Sequence, residues 1–139
     1  VAGKDKPIKY EDKSLGQPEL IPIFNQLKKL IARYEKGTMV VRAEPGGYSI
    51  WNDKEVELKG RKKPDVYFAG LLVQKGYVGF YFMPVYANPG LKSELHPQLL
   101  KCLKGKSCFH IKKNDPELMD QVKQALEIGY EDFKRKGWV

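Results

Sequence analysis

An apolar stripe at helical spacing runs through residues 18–36. Its members return every three or four positions, the period of one helical face: Leu20, Ile23, Phe24, Leu27, Leu30, Ile31 and Tyr34. Pro22 is compatible with the first turn of such a helix, where its missing N–H has no partner to lose. Gly37 can adopt the left-handed conformation that ends a helix. The pattern therefore predicts a first helix over residues 18–36, with its charged side chains facing water.

Alternating segments after residue 38 predict an antiparallel sheet. Short strands with turn residues between them are expected at residues 39–44, 48–51 and 55–59. Two longer apolar segments, residues 66–74 and 77–85, flank Gly76, which can supply the positive φ of a tight hairpin turn. Both faces of these segments are apolar. We therefore expect this hairpin at the centre of the sheet, covered by helices on one face and by other groups on the second.

The second half of the chain predicts two more helices and one strand. His96 is predicted to be the N-cap and Pro97 the first residue of a short helix that stops at Gly105. Apolar and polar residues alternate over residues 107–112, which predicts a strand. Asp115 caps a terminal helix. Its inward-facing stripe is Leu118, Val122, Ala125, Leu126, Gly129 and Phe133. Gly137 followed by Trp138 then has the pattern of a Schellman stop.

This order of elements predicts an α+β fold. We expect an antiparallel sheet of about five strands with helices packed on one face. A chain of 139 residues can bury one sizeable core, so residues 18–139 are predicted to form a single domain. The polar residues 1–17 are predicted to be a flexible lead-in.

Composition favours a soluble cytoplasmic protein without a membrane partner. Hydrophobic residues make up 42% of the chain, yet no apolar run approaches the ~18 residues of a membrane span. Cys102 and Cys108 occur without an export signal, as in reducing compartments where thiols stay free. A disulfide between them remains the alternative, because only a short turn separates the two positions.

The net charge of +8 comes from two basic runs without acidic residues. One is the predicted loop at residues 59–64 and the other spans residues 101–113. Together they contribute nine positive charges: Lys59, Arg61, Lys62, Lys63, Lys101, Lys104, Lys106, Lys112 and Lys113. Such runs can track phosphates, although no helix-turn-helix, RNP or zinc-finger signature accompanies them. Nucleic-acid binding is therefore one alternative, and a solvated surface is the simpler interpretation.

Cys108 and His110 are the strongest candidates for site chemistry. On a strand they leave the same face with Cα atoms about 6.6 Å apart, a spacing that suits a metal ligand pair or a nucleophile and base. No second Cys or His pair stands at ligand spacing, and the chain has no P-loop, G-x-G-x-x-G or G-x-S-x-G motif. We therefore expect neither metal nor cofactor, and a binding protein rather than an enzyme.

Aromatic residues in and around the predicted sheet suggest a ligand site. Tyrosine and tryptophan combine an apolar ring with a polar edge, as pockets and interfaces require: Tyr48, Trp51, Tyr67, Tyr77, Tyr81, Tyr86 and His110. Lys106 and Lys112 share the even numbering of His110, which predicts a positive rim. The predicted binding residues are Tyr67, Tyr81, Tyr86, His110, Lys106 and Lys112, with a small anionic ligand. The alternatives are a homodimer contact or ordinary core.

Three segments, residues 77–89, 105–113 and 129–138, resemble the bacterial YdhG-like family, a domain of unknown function. They read YVGFYFMPVYANP, GKSCFHIKK and GYEDFKRKGW. The resemblance implies an α+β domain of frataxin-like shape. It also implies an iron-chaperone alternative, since one branch of the family is described as an intracellular iron chaperone. In frataxin-like proteins that role rests on an acidic first helix, whereas here Glu19 and Glu35 stand among four basic residues.

Overall fold

An antiparallel sheet with the predicted hairpin at its centre organises the computed structural model, which describes residues 12–139. Within that part of the chain the sheet has six strands, in the spatial order β1-β2-β5-β6-β8-β7. They are β1 (Met39–Glu44), β2 (Gly47–Asn52), β5 (Val66–Gln74), β6 (Tyr77–Phe82), β7 (Leu103–Lys104) and β8 (Cys108–Ile111). A separate hairpin pairs β3 (Val56–Leu58) with β4 (Arg61–Lys63). The α+β class is confirmed.

Two long helices cover one face of the sheet. In the part of the chain that the structure describes, the helices are α1 (Ile21–Ala32), α2 (Met83–Ala87), α3 (Pro97–Leu100) and α4 (Pro116–Arg135), and 3-10 turns span Pro18–Leu20 and Pro89–Glu94. Phe68 of β5 shows how the layers meet, because its ring centroid lies 5.3 Å from that of Phe133 in α4 and 5.4 Å from that of Tyr34 after α1. Phe80 and Phe109 are fully buried on this face and belong to the core.

Four predicted element boundaries were wrong. The first helix ends at Ala32, not at residue 36. Strand β6 ends at Phe82, not at residue 85, because Pro84 lacks the N–H of a ladder hydrogen bond and lies in the first turn of α2. The helix expected to reach Gly105 stops at Leu100, and β7 follows it. The predicted basic loop contains β4, whose three residues are all exposed.

A β-bulge in β5 changes which side chains share a face. Ile50 pairs with Ala69 and Trp51 with Tyr67, so Phe68 is an extra residue in the ladder. Beyond the bulge, Leu71 lies on the helix-covered face with Phe68, and Leu72 lies on the other face with Tyr67. Strict alternation along β5 would place Leu72 on the face of Phe68 and Leu71 on the face of Tyr67, and the bulge reverses both.

The predicted caps of the terminal helix are confirmed. The Asp115 side chain accepts a hydrogen bond from the backbone N–H of Glu117 at 2.9 Å. At the other end, the N–H of Trp138 donates to the carbonyl of Phe133 and the two rings meet edge to face at 5.0 Å. Gly137 supplies the positive φ of this Schellman stop.

The residues before the first helix contact the central hairpin. Lys13 Nζ donates to the side-chain oxygen of Gln74, and the Gln17 side chain bonds the backbone of Gln74 and Gly76. Residues 12–17 are thus joined to the β5–β6 turn. The rest of the predicted lead-in, residues 1–11, lies outside the described residues.

Candidate functional site

The face of the sheet opposite the two long helices carries three of the predicted site residues, Tyr67, Tyr81 and His110, and we call it the open face. Strand register aligns its side chains in rows, such as Arg42, Ser49, Gly70, Tyr81, Cys108 and Lys104 from one edge to the other. A neighbouring row joins Trp51 with Tyr67. Side chains in one row stand about 4.5–5.5 Å from their neighbours. The rows therefore form a continuous surface across the sheet.

A groove of about 280 Å³ crosses the open face. Its walls combine aromatic and aliphatic groups with few polar ones, which is the usual composition of a small-ligand site. Its lining includes Trp51, Tyr67, Leu72, Tyr81, Met83 and Glu44. Tyr67 and Tyr81 are both half-buried. The structure thus brings two of the predicted binding residues together in one concave site.

Trp51 is held in one orientation by its neighbours. Its indole Nε1 donates to Ser49 Oγ at 3.0 Å, and the Arg42 guanidinium carbon lies 4.2 Å from its ring centroid. Tyr67 meets the same ring edge to face, with centroids 5.0 Å apart. Arg42 is itself fixed by a 2.6 Å bond to Asp65. Because these contacts lock its side chain, Trp51 is a rigid wall of the groove.

Two glycines let the tyrosine rings lie against the sheet. A methyl group on Gly70 would overlap the Tyr67 hydroxyl, and one on Gly79 would lie 3.0 Å from the Tyr81 ring and 3.5 Å from Cys108 Sγ. Any larger residue at either position would push a ring outward. The Tyr67 and Tyr81 rings therefore lie directly on the backbone of the sheet at Gly70 and Gly79.

Positive charge gathers at the His110 end of the open face. The imidazole stacks on the Tyr77 ring with centroids 3.7 Å apart and planes at 12°. Its pKa is lowered, first by burial and then by the nearby charges of Lys104 and Lys112. Within residues 12–139, neither lysine has a carboxylate at ion-pair distance. This end of the surface is therefore suited to an anionic group.

Burial disfavours the ionised form of both thiols and so raises their pKa. Cys108 lies beside Tyr81, and burial raises the pKa of its thiol although a hydrogen bond with Tyr81 opposes the shift. Burial also raises the pKa of Cys102. Both cysteines are free, and a raised pKa reduces the fraction of reactive thiolate at neutral pH.

Four predicted site residues lie away from the groove walls: His110, at the positive end of the open face, and Tyr86, Lys106 and Lys112. Tyr86 is in the short helix α2, where its ring lies 4.2 Å from Lys59 Nζ of the β3–β4 turn. Lys106 and Lys112 fall outside the ends of β8, so strand alternation does not fix their direction as their numbering suggested. Lys106 precedes Ser107, which lines the groove, and Lys112 lies near His110. The predicted positive rim of Lys106 and Lys112 therefore stays a prediction.

Sequence analysis missed several groups that shape the groove. Arg42, Glu44 and Met83 were not singled out, and Gly70 and Gly79 were treated as ordinary strand residues. The register of β1 and β2 places Arg42 opposite Ser49 and near Trp51. The contact between Arg42 and the Trp51 ring could therefore have been predicted from the sequence. Met83 was not, because it depends on where β6 gives way to α2.

Within residues 12–139, no group of three or more His, Cys, Asp or Glu side chains is arranged to hold a metal ion. In the same part of the chain, no helix has both the length and the apolar composition needed to cross a membrane. Comparisons of the chain with protein-family models, with curated proteins and with solved structures return no match. Membership of the YdhG-like family and the iron-chaperone alternative therefore stay predictions.

Proposed function

We propose that this protein is a small-ligand-binding module whose open face takes a planar ring and an attached anionic group. The observation that carries the proposal is the groove walled by Trp51, Tyr67 and Tyr81. Its volume of about 280 Å³ suits a molecule with a single aromatic ring or with two fused rings. Exposed aromatic walls of this kind rarely occur on a soluble surface without a binding partner.

The row of residues that contains Tyr81 indicates where the anionic group of the ligand would lie. Lys104 stands two strands from Tyr81 in that row, a separation of about 9.6 Å between backbones. Its extended side chain can reach the end of a ligand lying on Tyr81. Glu44 at the opposite end of the groove disfavours a negative group there. The ligand would therefore lie with its ring over Trp51 and Tyr67 and its charge toward Lys104.

The test compares 2-naphthoate with the neutral 2-naphthol, using calorimetry and amide NMR shifts. We expect the carboxylate to bind more tightly, with shifts at the Trp51 indole. Tyr81→Ala should weaken binding about tenfold, since it removes a stacking wall. Tyr86→Ala is the matched control, because that ring lies outside the groove, and it should leave the affinity unchanged. Absence of binding, or equal effects of the two variants, would reject the proposal.

Native mass spectrometry of untreated protein supplies an independent check. A copurified molecule with an aromatic ring and an acidic group would support the proposal and identify the ligand. A mass twice that of the chain would instead favour the homodimer alternative, with the open face as the contact.

A second candidate is single-stranded nucleic acid. The observation that favours it is the spread of half-buried rings over four strands, from Trp51 to the Tyr77–His110 stack, between Arg42 on one edge and Lys104 on the other. Bases can stack on such rings while lysines and arginines follow the phosphates. A short oligonucleotide should then bind with an affinity that falls steeply with salt. Binding that is insensitive to salt would exclude this candidate.

A further inference from the structure

The His110 end of the open face carries three side chains that can hold positive charge. Phe109 is fully buried on the helix-covered face, so its strand neighbours Cys108 and His110 lie on the open face. Lys104 pairs with Cys108 across the β7–β8 ladder, and Lys112 follows His110 by two residues. Both lysine charges act on the His110 imidazole. We call Lys104, His110 and Lys112 the cationic cluster.

Within residues 12–139, no carboxylate neutralises the cationic cluster. Both of its lysines are exposed, and neither forms an ion pair. The other titratable residues around His110 are Tyr77, Cys108 and Cys102, whose carbonyl accepts a 2.8 Å hydrogen bond from the His110 N–H. Burial raises the pKa of both thiols, so they carry no charge at neutral pH. The lysine charges therefore remain available to an anion.

His110 is the member of the cationic cluster whose charge can change near neutral pH. Burial and the two lysine charges lower the pKa of the imidazole, so it is mainly neutral at pH 7. An anion placed between the lysines would oppose their effect and favour the protonated ring. The stacked Tyr77 ring, with its centroid 3.7 Å away, is compatible with both forms, because an aromatic face also attracts a cation.

Tyr81 connects the groove to the cationic cluster. Its side chain lines the groove, and its ring lies against Gly79, where a methyl group would be 3.0 Å from Cε2. Gly79 is the strand partner of His110, so their backbones are about 4.8 Å apart. A ligand stacked on Tyr81 can therefore extend an anionic group to the cationic cluster.

From this arrangement we propose that the anionic group of the open-face ligand is a phosphate monoester, held by Lys104, Lys112 and a His110 imidazolium that forms on binding. The inference rests on the function proposed for the open face. A phosphate monoester carries nearly two negative charges at neutral pH, so three cations match it better than they match a carboxylate. The proton on His110 comes from solvent, and binding is therefore coupled to proton uptake.

The experiment follows the NMR signals of the His110 ring between about pH 5 and pH 8, where an imidazole titrates. It compares the free protein with its complexes with 2-naphthyl phosphate and 2-naphthoate. We expect 2-naphthyl phosphate to raise the pKa of His110 more than 2-naphthoate does, and to bind about tenfold more tightly because of its second charge. An unchanged His110 pKa in the phosphate complex, or equal affinities for the two anions, would overturn the proposal.

Matched histidine variants test the third charge. His110→Gln should weaken 2-naphthyl phosphate about tenfold, the loss expected for one charge-assisted contact. His96→Asn changes the other histidine, which caps α3, and asparagine is also a good N-cap. This control should leave the affinity unchanged. Equal losses in both variants would reject the role of His110.

Matched lysine variants test whether the position of the charge matters. Lys104→Gln should weaken 2-naphthyl phosphate about tenfold. Lys101→Gln removes a charge from the same basic run, but Lys101 is exposed and does not act on the His110 imidazole. It should therefore leave the affinity unchanged. Equal losses would show a general charge effect and reject the cationic cluster.

Inorganic phosphate separates this inference from the function proposed for the open face. If 2-naphthoate binds while 2-naphthyl phosphate leaves the pKa of His110 unchanged, this inference fails and the proposed function stands. If neither naphthyl anion binds, the proposed function fails, and inorganic phosphate is compared with sodium chloride at the same ionic strength. A rise in the His110 pKa with phosphate alone would still support the cationic cluster as a phosphate site, whereas no rise would overturn it.

Discussion

The hydroxyl of Tyr67 lies over Gly70, so close that a methyl group at position 70 would overlap it. Two residues separate these positions along β5, so the Tyr67 ring lies along its own strand. The groove of the open face depends on this contact, because a ring lifted from the backbone would stand across the space that Trp51 and Tyr81 enclose.

Gly70→Ala should therefore lower the free energy of unfolding by about 1–3 kcal/mol, the usual cost of overpacking. The new methyl would also lie 2.9 Å from Ser49 Cβ, which leaves it no free direction. Urea denaturation measures the change. Gly90→Ala is the control, since its nearest neighbour is the Asn88 side chain at 3.3 Å, and it should change stability by less than about 1 kcal/mol. Equal losses would contradict the contact.

Gly129→Ala tests how closely α4 packs on the sheet. Alanine in a helix interior is normally favoured over glycine by about 1 kcal/mol. Here the added methyl would lie 2.5 Å from Phe82 Cζ and 2.7 Å from Pro84 Cγ. We expect the steric cost to exceed the propensity gain, with a net loss of about 1–3 kcal/mol. A rise in the melting temperature would show that the helix can move away from β6.

Phe80→Ala should be among the most damaging single changes. The side chain is fully buried, and its ring centroid lies 5.4 Å from that of Phe82 and 5.7 Å from that of Phe109. Removing it leaves a cavity in a central strand, with an expected loss of about 3–5 kcal/mol in chemical denaturation. Leu15→Ala, at a side chain that is 81% exposed, should cost less than about 0.5 kcal/mol. A loss below about 1 kcal/mol for Phe80→Ala would disagree with its burial.

Asp132 should make stability depend on pH in the acid range. Burial of the carboxyl opposes ionisation, but bonds from Lys136 at 2.9 Å, Asn88 at 3.1 Å and Arg135 at 3.2 Å outweigh it and lower the pKa. A folded-state pKa below the unfolded value of about 3.9 stabilises the protein at neutral pH. That contribution is lost as the pH falls below about 4 and through the folded-state pKa.

The measurement compares the free energy of unfolding of the protein and of Asp132→Asn between pH 7 and pH 2. The variant should be less stable at pH 7, and the difference should shrink toward pH 2. A difference that is constant over this range would assign the loss to altered packing instead of charge.

The sequence predicts the parts of this fold that local chemistry determines. The turn at Gly76, the cap at Asp115 and the stop at Gly137 each depend on a few adjacent residues, and each lies where it was expected. The buried stripe of the terminal helix is also correct, because helical period alone assigns its face.

The open face was harder to predict. The sheet face to which a side chain points alternates along a strand, so one extra residue reverses the assignment for every residue after it. The extra residue Phe68 in β5 exchanges the faces of Leu71 and Leu72, and nothing in the local pattern marks it as a bulge. Because β6 ends early, Tyr86, which was predicted to belong to the same aromatic site, lies in α2. Tyr67 and Tyr81 were predicted together correctly, since each lies in a long segment whose strand assignment was right.

One edge of the sheet is formed by β1, whose outer side has no neighbouring strand in the described part of the chain. Such an edge offers backbone donors and acceptors to any passing chain, and charged side chains are a common safeguard against the resulting aggregation. Here Arg42 and Glu44 provide the charge, while Val40 and Val41 precede them. Because Arg42 also covers the Trp51 ring, the shape of the groove and resistance to aggregation depend on the same side chain.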